Sequence, residues 1–201
     1  MRHFWRLLMN DYFPLKKGLK LVYDYESSEF EGKARAALHV LEVAQSPKET
    51  CATVRLSVEV RDHVNHEQYQ IKKTGKAVVS GNGIVVGGRI EFPLPPAVNA
   101  QWDQYPDANK IVSMTETVRV PAGTFKNCLK VESLLAGGDA GSAERYYAPG
   151  VGYISEKYNE EGMQAVISLA EWGIETPPEP RTPRKGTARK NNKGAGKKRF
   201  F

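Results

Sequence analysis

Apolar and polar residues alternate with a period of two along most of the chain from Gly18 onward. Leu19, Leu21, Tyr23 and Tyr25 are separated by positions that include Lys20, Asp24 and Glu26, which gives one apolar and one charged face, the signature of a half-buried strand. The cleanest run is 51–61, where Ala52, Val54, Leu56, Val58 and Val60 share one face and Thr53, Arg55, Ser57, Glu59 and Arg61 the other. A helix would scatter those five apolar residues around its circumference. Comparable runs cover about 33–44, 66–72, 75–80, 84–92, 111–120, 125–135, 143–148, 153–158 and 164–172, each bounded by Gly, Pro, Asn or Asp. Strands this closely spaced, with no long helical segments between them, predict antiparallel hairpins rather than βαβ units. The expected fold is all-β: about ten strands in one antiparallel domain over 11–176.

Segment 93–110 breaks the pattern with Pro93, Pro95, Pro96 and Pro106, which remove ladder donors and predict a long crossing loop. Residues 3–10 carry Phe4, Leu7 and Leu8 at helical spacing, enough for one turn within an N-terminal segment 1–10. Beyond Trp172 the alternation stops.

Composition adds that 201 residues, 40% hydrophobic and 26% charged, suffice for one soluble core, which excludes full-length disorder. The net charge of +6 is unevenly placed. Residues 177–201 hold Arg181, Arg184, Lys185, Arg189, Lys190, Lys193, Lys197, Lys198 and Arg199 against the single acid Glu179, so this segment contributes +8 and residues 1–176 are left at −2. With four prolines and no aliphatic larger than Ala, it is predicted to be a disordered basic tail able to bind an anionic polymer or membrane surface. No run of roughly 18 apolar residues is present to span a bilayer as a helix. Leu7–Met9 is too short for a signal-peptide core, so the sequence as written reads as cytoplasmic. Cys51 and Cys128 make neither a disulfide framework nor a zinc site, and a buried thiol pair is the simplest expectation.

Three motifs occur in order: Tyr12-Phe13-Pro14-Leu15 ahead of the first strand, Val120-Pro121-Ala122-Gly123-Thr124-Phe125, and Tyr146-Tyr147-Ala148-Pro149-Gly150-Val151-Gly152. Over about residues 12–172 they resemble the bacterial β-rich domain-of-unknown-function 3108 (TapB-like) family. The resemblance implies a single curved antiparallel sheet, an open half-barrel, with no agreed activity and with export in many relatives. Leu21, where relatives often carry Trp, and the absence of a signal peptide depart from it. Read on their own, the motifs are structural: Pro121 and Gly123 suit one tight turn, and Pro149-Gly150 suits a type II turn with Gly150 at positive φ.

Candidate chemistry is sparse. Gly81-Asn82-Gly83 through Gly87-Gly88 lacks the following helix that a phosphate loop needs, so a hairpin turn with Gly87 and Gly88 as a bulge is expected. His63 and His66 lie close enough in sequence to share a metal if a third ligand joined them. Neither a Gly-x-Ser-x-Gly elbow nor a His-Glu-x-x-His pair occurs, and no cofactor is expected. Trp102 and Tyr105, with Phe125 and Tyr23, are the candidate ligand contacts. The leading expectation is a non-catalytic sheet module that takes an apolar small molecule, a lipid or a protein partner on its concave face, or a second copy of itself. A role through the basic tail is the alternative, and an enzyme whose site only the fold assembles is the third.

Overall fold

The computed structural model describes residues 11–175. The proposed helical turn at 3–10 and the basic segment 177–201, with its nine cations, fall outside the described residues. Twelve strands follow in order: β1 (Leu19–Ser27), β2 (Ala34–Gln45), β3 (Glu49–Val60), β4 (His63–Thr74), β5 (Ala77–Ser80), β6 (Arg89–Pro93), β7 (Gln101–Gln104), β8 (Asp107–Val120), β9 (Gly123–Leu135), β10 (Gly141–Ala148), β11 (Gly152–Glu160) and β12 (Met163–Ile174). They form one antiparallel sheet in the order β6-β5-β4-β3-β2-β1-β12-β11-β10-β9-β8-β7. The sheet curls into a nearly closed barrel whose seam lies between β6 and β7.

Alternation carries through to the interior. Leu19, Leu21, Tyr23 and Tyr25 of β1 are buried, as are Ala34, Ala36, Leu38 and Val40 of β2 and Ala52, Val54 and Leu56 of β3. Register matches large with small: Tyr23 lies opposite Ala36 and Tyr25 opposite Ala34. The other wall contributes Ile111, Leu129, Val131, Ile167 and Leu169, each 0% exposed. One side chain stitches the seam. The Gln104 amide Oε1 accepts from Ile90 N at 2.8 Å and its Nε2 donates to Gly88 O at 2.6 Å, so the amide occupies the place of a neighbouring strand's backbone.

Three expectations need correction. Segment 93–110 is not a single crossing loop, because it contains β7 and the start of β8, joined by a tight turn at Tyr105-Pro106. Its prolines stand at the end of β6, in the connection 94–100 and in this turn, where no ladder donor is required. The strand expected over 84–92 begins only at Arg89, and residues 81–88 form the connection from β5. The bulge lies not at Gly87-Gly88 but within the β5–β6 pairing, where Val78 faces Phe92, Val79 faces Ile90, and Glu91 has no opposite residue.

Candidate functional site

Because the strands alternate in direction, the connections 45–49, 74–77, 94–100, 120–123 and 148–152 share one end of the barrel, and 27–34, 60–63, 81–88, 105–106, 136–140 and 161–162 share the other. The first end is sealed by the segment preceding β1. Phe13 inserts between Phe92 and Tyr147, with ring centroids 6.4 and 6.0 Å away. Tyr12 donates its hydroxyl to Asn127 O at 3.1 Å, and Lys73 Nζ holds Asp11 Oδ1 at 2.5 Å. Gly150 N donates to Asp11 O at 2.8 Å. The three sequence motifs therefore meet: the Tyr12–Leu15 strap packs against Gly152, its tyrosine reaches β9 just past the Gly123 turn, and Ala122 N donates to Leu169 O of β12. The turn at 148–151 has the expected geometry, since Gly150 has φ +77° and Val151 N donates to Ala148 O at 3.2 Å. Gly123 also has positive φ, at +136°.

Behind the other end lies a cluster that the sequence reading missed. Arg89 of β6 reaches across the interior, and its Nη1 contacts both Glu156 oxygens at 2.9 and 3.0 Å while Nε donates to Glu91 at 3.0 Å. Tyr147 OH donates to Glu91 at 2.6 Å, and Tyr153 OH donates to Glu156. Arg145 of β10 completes the group through Nη2, which donates to Asn109 Oδ1 and Ser133 Oγ, both at 2.8 Å. All of these side chains are buried, and two arginines balance two glutamates. Burial opposes the charge on Glu91, yet Arg89, Arg145 and hydrogen bonds from Ser80 and Tyr147 outweigh it and hold the carboxyl below its ordinary range. On Arg89 burial likewise works against the charge, and Glu156 and Glu91 more than offset it. Burial, followed by Glu91 at Tyr147 and Glu156 at Tyr153, pushes both phenols far up, so they remain donors.

Bulges put part of this cluster out of step with alternation. Tyr146 pairs with Ser155 and Tyr147 with Tyr153, leaving Ile154 unopposed. That extra residue turns both Tyr153 and Glu156, three apart, toward the interior. The unopposed Glu91 does the same for Glu91 and Phe92 in β6.

Around the cluster the mouth opens into a polar cleft of about 40 Å³, lined in part by Arg89, Arg145, Asn109, Ser133 and Asp107. Tyr158 separates it from an open groove of about 700 Å³ bordered by Phe30, Lys33, Lys157, Gln164 and Val166. At the strapped end the apolar interior leaves only about 20 Å³ between Phe13, Leu38, Val54 and Tyr153. Beside the strap the concave face is filled by its own side chains.

The four expected ligand contacts do not converge. Tyr23 is fully buried and donates to Tyr153 O at 2.9 Å, which makes it a core residue. Phe125 is half-buried in β9 next to the sealed end, whereas Tyr105, 97% exposed, tips the turn at the opposite end. Trp102 lies half-buried in β7, and its indole Nε1 is buried with no acceptor among the described residues. His63 and His66 are both exposed on β4, and their odd separation puts them on opposite faces, so they do not share a ligand position. His66 Nδ1 instead lies 2.8 Å from Ser57 Oγ, as a cross-strand pair on the open outer surface. Cys51 in β3 and Cys128 in β9 are unbridged, and burial pushes the Cys128 thiol up to about 11.

No family model matches the chain, and no curated protein matches it. Among solved structures, it is similar to a Bacteroides fragilis protein described as exported and as having a YmcC-like fold, at 17% identity and a TM-score of 0.58, over 80% of this chain and 98% of the other. A Parabacteroides distasonis protein described as a lipoprotein is also similar, at 17% identity and a TM-score of 0.52, over 81% and 98%. At this identity the likeness is one of fold.

Proposed function

We propose that the chain is a non-catalytic, exported β-barrel module that holds a protein segment at its open mouth. The observation that carries the reading is the inequality of the ends: the strap seals one, and at the rim of the other a groove runs beside Phe30 and Val166. The groove has an apolar floor and a rim with Lys33, Lys157 and Glu26, the mixture that suits a peptide better than a lipid. Export is supported by the descriptions of the two similar structures. Kinship with the domain-of-unknown-function 3108 group is supported by the meeting of the three motifs at the sealed end. The test is peptide selection on the full chain. Enriched peptides should lose binding to Phe30→Asp and Val166→Asp but not to Trp102→Ala. Dependence on Trp102, or uptake of lipid probes with no peptide binding, would overturn the reading, and a dimer by native mass spectrometry that Phe30→Asp dissociates would make the occupant a second copy.

A second reading rests on the charge of +8 over residues 177–201. Binding to nucleic acid or anionic vesicles that weakens with salt should disappear when that segment is deleted. Retention after deletion would assign the binding to the barrel.

A further inference from the structure

Arg145 and Arg89 are served differently. Arg89 Nε and Nη1 both meet carboxylates. Arg145 Nη2 meets two neutral oxygens, and the Glu91 carboxylate stands 3.9 Å from Nη1, outside hydrogen-bond distance. Its Nε is buried and has no acceptor among the described residues. A buried, charged N–H left without an acceptor is strongly unfavourable. The same side chain, 3% exposed, lines the cleft of about 40 Å³. A space of that size admits a water or one small group, which needs roughly 10–15 Å³ of such volume.

We propose that this cleft is a subsite for a single neutral oxygen acceptor, either a water or the hydroxyl or carbonyl oxygen of a ligand lowered from the groove, with Arg145 Nε as its donor. Charge sets the class. Glu91 and Glu156 already balance the two arginines, and Asp107 on the cleft wall adds a further carboxylate, so an anion would bring surplus negative charge into a buried space. The arginines exclude a cation. A neutral oxygen satisfies Nε and leaves the balance unchanged. Tyr158 borders both the cleft and the groove, so an occupant of the groove lies one side chain away from the cleft.

The water arm stands without the groove reading, and the ligand arm rests on it. Crystals of the full chain soaked separately in sodium bromide, sodium acetate and acetamide distinguish the outcomes. The bromide soak should show an oxygen peak about 3 Å from Arg145 Nε with no anomalous signal. In acetamide, a retained water identifies the solvent as the source and a carbonyl in its place identifies a ligand, and both support the proposal. Bromide or acetate seated at Nε, or a dry cleft, overturns it. Arg145→Met should lose the peak, and persistence of the same oxygen in that variant would remove Arg145 as the donor. If the variant does not fold, the wild-type soaks decide alone. Failure of peptide binding at the groove would leave the bromide result intact, so the two readings fail separately.

Discussion

At the strapped end, Phe13, Phe92 and Tyr147 close the barrel with rings 5.0–6.4 Å apart, while behind the mouth Arg89, Glu91, Arg145 and Glu156 close it with charges. Ring contacts add up from many weak, weakly directional terms and degrade gradually when one is trimmed. The charge cluster is different: its attraction roughly cancels the cost of desolvation, so it contributes little net stability, yet losing one member strands its partner. One end should therefore tolerate partial damage and the other should not.

The largest effect is expected from Glu156→Ala, which leaves Arg89 Nη1 and the Tyr153 hydroxyl without their acceptor and should cost about 3–5 kcal/mol in urea unfolding. Combining it with removal of the cation, as Arg89→Met with Glu156→Leu, should recover much of that loss. A single variant within about 1 kcal/mol of wild type would break the distinction between the ends. The same cluster sets the acid response. Glu91 titrates below its ordinary range in the folded state, so its contribution is present above the unfolded carboxylate value and is lost as pH falls through the folded one. Thermal midpoints should fall on that acid limb, and Glu91→Gln should flatten it.

Phe13→Ala should cost about 3 kcal/mol, near the lower end for a phenylalanine because the strap can partly collapse into the space. Mouth chemistry should be unaffected, which proton–deuterium exchange at β10 and β11 would show. Gly150→Val should cost about 1–2 kcal/mol from backbone strain alone, since nothing lies within 4 Å of an added Cβ. Gly150→Asn should cost less, and equal penalties would indicate a clash rather than a φ requirement. The smallest effect is expected at the seam, where Gln104→Ala removes two hydrogen bonds and should cost about 1 kcal/mol, with faster exchange confined to Ile90 and its neighbours.

Strand positions were legible wherever one face was apolar and the other wet. The run from Ala52 to Val60 reads directly into β3, and the turn at Gly150 follows from Pro149 before it. β7 was not legible because four residues interrupted so closely by prolines carry too little alternation to outweigh them. The charge cluster was hidden for a deeper reason. Arg89, Glu91 and Arg145 read as surface residues because they are charged, although Arg145 alternates in step with the buried Ala143 and Tyr147. Glu156 and Tyr153 share the inside through an unopposed Ile154, a feature of pairing that one strand's sequence does not contain. The motifs at the sealed end were noticed as turns, and their joint role emerged only from the distances between them.

The order of the strands has a consequence for how the chain could be rewired. Each strand hydrogen-bonds to its sequence neighbour except across β6 and β7, and β1 joins β12 to complete the round. Glu175 N donates to Gly18 O at 2.8 Å and its carboxylate meets Lys20, so the two ends of the barrel's chain already lie side by side. Linking them covalently and cutting within 94–100 would convert the protein into a plain up-and-down circular permutant that retains every strand pair. In that molecule the first and last strands would be the present β7 and β6, and the Gln104 amide would become the latch between them at the end opposite the new termini.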